Sequence, residues 1–196
     1  KDGVVTATGK GTAKITASLP NGRSAVCTVK VTTRKLPTSG YSYASTAQYT
    51  GSAIIPTVTV KDGSKVLRQN IDYRVIVTNN VKIGHANITI SGLGYYYGRY
   101  TAGFDIIPAK QTIQKLETRY KGFFVDWAQK GSATGYDIQY STSANMSGAA
   151  SKHLTANRPD TITISGLTAD KTYYVRVRSY TNVGSKTYYG PWSDIK

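Results

Sequence analysis

The 196 residues leave room for one large domain or two to three small ones, and the single cysteine, Cys27, excludes an intrachain disulfide. No stretch approaches the run of about 20 apolar residues that a membrane-spanning helix needs, so insertion into a bilayer is not expected. The formal charge of +15, from 25 Lys and Arg against 10 acidic residues, attracts polyanions, while 16 Tyr, abundant Thr and Ser, and 19 Gly describe an all-β chain.

The basic residues do not gather. Lys14, Lys30, Arg176 and Arg178 occupy isolated outward positions on predicted strands, without the dense patch and interleaved aromatics of a nucleic-acid binder. Nucleic acid is therefore not expected as a partner, and these charges read as solvated strand faces before a specific site for a polyanion such as anionic lipid or a phosphate-rich envelope polymer. Without disulfides, small modules must be held by packing alone, which favours a bacterial exported protein or a cytosolic one. Neither a signal peptide nor a start methionine opens the sequence, which reads as a fragment of something longer.

In chain order, Val4-Val5 leads to Gly9 and Gly11, after which Ala13, Ile15 and Ala17 alternate with Thr12, Lys14 and Thr16. Pro20-Asn21-Gly22 makes a turn, and Cys27, Val29 and Val31 alternate with Val26, Thr28 and Lys30. Two period-2 segments around Asn-Gly predict a β-hairpin. The run from Asp2 to Ala17, closing with Ala25 to Thr32, resembles the second half of a bacterial immunoglobulin-like group 2 domain, a family of bacterial surface proteins and adhesins. Only this half is matched, and a lone hairpin is marginal in water. Ile15, Cys27, Val29 and Val31 are therefore expected to pack on the next module or on a neighbouring chain, with Cys27 a small core residue.

Lys35 to Gly40 reads as a linker. The next stretch, 41–108, predicts strands with Val58, Val60, Tyr73, Val75, Val77, Ile88, Ile90, Phe104 and Ile106 on inner faces. Asp62-Gly63, Asn79-Asn80 and Gly92-x-Gly94 supply its turns. With Tyr49-Thr-Gly51, Asp72-Tyr73 and the aromatic run Tyr95-Tyr96-Tyr97 it resembles the β-rich tandem repeats of long extracellular Firmicutes proteins, which implies a surface location and no particular ligand.

From Ala109 to Lys196 the predicted strands include Phe124 to Trp127, Gly135 to Tyr140 and Thr161 to Ser165. Leu167 then precedes a turn, Tyr173, and the alternating Val175 and Val177, and Gly190-Pro-Trp-Ser193 sits where the last strand is expected to begin. This stretch resembles a fibronectin type III domain, which implies a core around Trp127 and a tyrosine corner, with the Tyr173 hydroxyl bonded to backbone near Leu167. The fold class is all-β, tandem immunoglobulin-like and fibronectin type III-like sandwiches. The modules fall at 1–34, 41–108 and 109–196, with 35–40 linking the first two.

Chemistry is sparse. The ten acids form no paired-carboxylate motif, and the histidines, His85 and His153, fall in different predicted modules from each other and from Cys27. No nucleophile elbow, phosphate loop or dinucleotide fingerprint is present. No catalytic residue, cofactor or metal is expected. The candidates for contact are aromatic: Tyr95, Tyr96 and Tyr97 near a glycine turn, and Tyr188, Tyr189 and Trp192 near the end, any of which could meet a sugar face or a protein partner if left exposed. The reading is a non-catalytic spacer and adhesion segment of a Gram-positive cell-surface or secreted protein. Its partners would be cell-wall polymer, glycan or host surface protein, with self-association through the first hairpin. A dedicated carbohydrate- or host-protein-binding module, or an accessory region of a secreted polysaccharide-degrading enzyme, are the alternatives.

Overall fold

The computed structural model describes residues 5, 6 and 9–196. Of the opening motif, Asp2, Gly3, Val4, Ala7 and Thr8 lie outside the described residues. Every regular element described is a strand: β1 Gly11–Ser18, β2 Ser24–Val31, β3 Arg34–Lys35, β4 Tyr41–Ser42, β5 Thr46–Gln48, β6 Thr59–Asp62, β7 Lys65–Val66, β8 Tyr73–Thr78, β9 Gly84–Gly92, β10 Tyr96–Tyr97 and β11 Arg99–Ile107. They continue with β12 Ile113–Arg119, β13 Gly122–Trp127, β14 Gly135–Ser141, β15 Ala150–Leu154, β16 Thr161–Ser165, β17 Tyr174–Val183 and β18 Lys186–Tyr189. The all-β expectation holds. The chain divides into two compact units, Lys1–Tyr43 with Thr57–Val77 and Ile88–Ala102, and Ala44–Pro56 with Thr78–Asn87 and Gly103–Lys196.

The predicted hairpin forms, with Ala13 opposite Val29 and Ile15 opposite Cys27. Its burial does not follow. Ile15 stays 37% exposed and Cys27 is exposed, while Val29 and Val31 are only half-buried. The expectation that these residues pack against the next module is corrected: the sheet has two strands and no facing layer among the described residues, so alternation sorts its faces without covering either.

The stretch read as a linker begins as structure. Arg34 and Lys35 pair in parallel with Tyr96 and Tyr97, and Leu36 is buried. A three-stranded sheet runs in the order β4-β6-β7 and a four-stranded one in the order β5-β11-β9-β8. In the first unit Val58, Val60, Leu67, Tyr73, Ile88, Ile90 and Tyr96 are buried. The Tyr73 hydroxyl donates to the Val58 carbonyl at 2.8 Å, so a phenol can enter this core without an orphaned polar group. Asp72 accepts from the Arg68 backbone N–H at 2.8 Å, and that hydrogen bond, ahead of the Arg68 guanidinium, holds its carboxyl below the usual aspartate range against the opposing effect of burial.

In the second unit the C-terminal strands make a sandwich, β12-β13-β16 facing β15-β14-β17-β18. Phe123, Val125 and Trp127 from β13 meet Tyr136, Ile138, Val175 and Val177 from the opposite sheet, and Trp127 and Tyr136 lie with centroids 5.1 Å apart. Burial of these rings dominates the core, each removing ~150–250 Å² from water. The tyrosine corner is present in a variant sense, since the Thr168 N–H donates to the Tyr173 hydroxyl at 3.2 Å, one residue beyond Leu167. The last strand differs from expectation. Lys186–Tyr189 pairs with β17, the Gly190 N–H still donates to Ser179 O, Pro191 interrupts the ladder, and pairing resumes with Ser193 N–H to Val177 O and Lys196 N–H to Val175 O. Proline has no N–H for the ladder, which accounts for the break.

Candidate functional site

The six aromatic candidates divide by strand alternation. Tyr96 is buried; its hydroxyl donates to Asp62 at 3.0 Å, and burial first, then this carboxylate, raises its pKa. Tyr95 and Tyr97, its neighbours, are 50% and 52% exposed. Tyr188 is likewise buried, while Tyr189 is 43% exposed. Tyr96 and Tyr188 therefore hold their own cores and offer no ring face to a ligand. Tyr100, close in sequence, spends its face on Tyr41, stacked at 3.6 Å and 4°.

Trp192 and Tyr189 are occupied from within. The Arg176 guanidinium lies 4.6 Å from the Trp192 ring centroid, and Arg178 lies 4.5 Å from Trp192 and 4.1 Å from Tyr189. Arg176 is held by the Gln139 side-chain oxygen at 2.7 Å and Arg178 by Asp137 at 2.9 Å, and Asp137 also meets His153 at 2.6 Å. Cations over indole and phenol faces stabilise a surface by roughly 0.5–1 kcal/mol each and leave less room for a sugar. The sequence reading took Arg176 and Arg178 as solvated charges. Their i, i+2 spacing opposite a late Trp was the available signal, but which ring they would reach depends on how the chain turns at Gly190-Pro191.

A second group of charges ties β11 to the C-terminal sandwich. Lys186 reaches Asp105 at 2.8 Å, and His85 approaches the other carboxylate oxygen at 2.8 Å. The Lys186 ammonium is the main cause that lowers the Asp105 pKa, and Asp105 in turn raises that of Lys186. Nearby, the Lys110 N–H donates to the Gln48 side chain at 2.9 Å and its ammonium to Asp194 at 2.6 Å. Gly190 fits against the same segment so closely that a Cβ there would stand 2.9 Å from the Pro108 oxygen. The connection from β11 to β12 is thus short and bonded on both sides.

Sequence reasoning missed Tyr120. It sits in the tight turn between β12 and β13 and is 89% exposed, the most exposed of the large apolar side chains described. A tyrosine at a hairpin tip has no facing layer, and that position was legible in Thr118-Arg-Tyr-Lys-Gly122. Among the described residues no cluster of three or more His, Cys, Asp or Glu side chains could hold a metal.

No curated protein sequence matches the chain. Among solved structures, the FN1–FN3 domains of chicken CNTN1 are similar at 12% identity and a TM-score of 0.41, over 94% of this chain and 76% of that one. The family model described as fibronectin type III domain matches residues 110–194, the stretch that forms the seven-stranded sandwich with its tyrosine corner, and this part of the chain is a fibronectin type III domain.

Proposed function

We propose that the chain is a non-catalytic spacer and adhesion segment of a larger bacterial surface or secreted protein, carried on a Gram-positive envelope. In this reading 1–34 is half of a bacterial immunoglobulin-like domain, 41–108 an extracellular β-rich repeat, and 109–196 a fibronectin type III domain. The observation that supports it best is the bonded connection between β11 and β12. A spacer transmits orientation only where its joints are stiff, and default joints between modules are mobile. Here five residues separate Ile107 from Ile113, and Lys110, Asp194, Lys186 and Asp105 bridge the connection from both sides. The partners we assign are cell-wall polymer, glycan or host surface protein, and another copy of the chain through the β1–β2 hairpin.

Stiffness is measurable. With Cys27→Ser removing the native thiol, spin labels at Ser52 and Ser151, both exposed and within the same unit, should give a narrow distance distribution. The double variant Lys110→Ala with Lys186→Ala should broaden it. A distribution already broad in the parent would sink the spacer reading. A carbohydrate- or protein-binding role draws separately on the exposed Tyr95 and Tyr97, and loss of surface adhesion in their double alanine variant, with the joint unchanged, would move the balance to it.

A further inference from the structure

The turn Arg119 to Gly122 faces a second turn, 167–173, across a cleft. Lys121 takes a left-handed conformation, φ 48°, which closes the first turn in few residues and sends Tyr120 outward. The Leu167 N–H donates to the Lys121 carbonyl at 2.9 Å, so the two turns are fixed to each other. The Tyr173 hydroxyl, bonded to Thr168 N–H, fixes the wall between them. The resulting cleft has a volume of about 540 Å³. It runs into a second of about 370 Å³ through shared Thr118, Gly122, Lys171 and Tyr173. A pre-formed groove loses little freedom when something binds in it.

Its chemistry is uneven. Arg119, Lys121 and Lys171 line the main cleft against one acid, Asp170. Glu117, next along, is already held between Lys115 and Arg119. Lys121 and Lys171 form no ion pair among the described residues. The Lys121 ammonium sits over the Tyr120 ring at 5.6 Å from its centroid, farther than the guanidinium groups over Trp192 and Tyr189, and the ring stays 89% exposed, so aromatic surface and cation are presented together. The Tyr120 ring is left in water with no packing role that would explain it.

We propose that this groove binds an acidic polysaccharide chain, with Tyr120 stacking on one sugar ring and Lys121 and Lys171 pairing with acid groups along the polymer. A sugar needs one flat aromatic face, and one is offered. Single-stranded nucleic acid is gripped by successive stacked rings, and here the next ring, Tyr173, is half-buried in the wall with its hydroxyl engaged. Two joined clefts suit a linear chain better than a compact ligand. The site lies outside all six aromatic positions read from the sequence and is independent of the spacer reading.

The test uses the whole chain at 0.15 M salt, where diffuse surface attraction is largely screened. Binding is measured to polygalacturonate, dextran sulfate, uncharged dextran and a single-stranded oligonucleotide. Saturable binding to one or both acidic polymers and none to dextran is expected, and the preference between them separates carboxylate from ester-linked acid. Tyr120→Ala, and Lys121→Gly with Lys171→Gln, should each weaken that binding about tenfold. Glycine suits the left-handed position, so folding is preserved, and unchanged thermal midpoints check this. The charge-matched control, Lys14→Gln with Lys30→Gln on the hairpin, should stay within about twofold. The proposal is overturned if neither acidic polymer binds, if the hairpin control loses as much as the groove variant, if Tyr120→Ala has no effect, or if the oligonucleotide binds more tightly than both polysaccharides.

Discussion

Strands β1 and β13 carry the same message in sequence and meet opposite fates in structure. Ala13, Ile15 and Ala17 alternate with polar residues just as Phe123, Val125 and Trp127 alternate with Phe124 and Asp126. Yet Ile15 stays in water while Val125 and Trp127 are fully buried. Alternation decides which residues share a face. Burial depends on whether a second sheet stands about 10 Å away, and among the described residues β13 has one where β1 does not. Truncation should expose this contrast most strongly. Trp127→Ala is expected to cost about 3–5 kcal/mol in urea unfolding, and Ile15→Ala less than about 0.5 kcal/mol. A cost at Ile15 approaching that of a core truncation would break the comparison, because the hairpin would then have a covering layer in solution.

Glycines sharpen the same contrast without removing any apolar surface. A Cβ at Gly122 would lie 2.1 Å from the Ile164 oxygen on the neighbouring strand, whereas one at Gly9, beside the hairpin, meets nothing within 4 Å. Gly122→Ala should therefore destabilise by about 1–3 kcal/mol, through forced separation of β13 from β16. Gly9→Ala should change stability by less than about 0.5 kcal/mol in the same denaturant series. Equal effects would mean that the β13–β16 pairing is looser than its register implies.

What the sequence disclosed follows this division. The period-2 rule and turn chemistry recovered the hairpin, and every inner-face residue expected between Val58 and Ile106 is buried or half-buried. The sandwich core and tyrosine corner came instead from the resemblance of 109–196 to a fibronectin type III domain, which supplies the long-range pairing that alternation alone does not. Contacts that depend on where distant segments meet were not legible. Lys186 on Asp105, Arg178 between Trp192 and Tyr189, and Leu36 in the first unit's core all join residues far apart in sequence or after an interrupted strand. The aromatic candidates were half-legible for the same reason: a run such as Tyr95-Tyr96-Tyr97 must place its middle ring opposite its outer two, but which side faces the core is a tertiary fact.

Acid should act on the layered regions alone. The hairpin from Gly9 to Val31 contains no carboxylate, whereas Asp72 is buried and carries a depressed pKa. Its contribution to stability is fully present above the ordinary aspartate value of 3.8 and is lost as pH falls through the lower folded value. Asp72→Asn should cost about 1 kcal/mol at neutral pH and flatten the stability curve below pH 3.8. Amide exchange across the hairpin should not respond to the substitution. An unaltered acid limb would mean that Asp72 is not the carboxylate that matters there.

The smallest effect tests the contrast within three consecutive residues. Tyr96 is inside with its hydroxyl on Asp62, and Asp62 also receives Arg34 at 2.7 Å. Removing the hydroxyl leaves a carboxylate with its guanidinium still in place, so the loss is one hydrogen bond and not an abandoned charge. Tyr96→Phe should therefore cost only about 0.5–1 kcal/mol. Tyr95→Ala and Tyr97→Ala, which remove far more atoms from exposed positions, should cost less than that each. If either outer alanine proved more damaging than the inner phenylalanine, that ring would be packed against something the single chain does not supply, and the exposed pair would become an interface instead of a free surface.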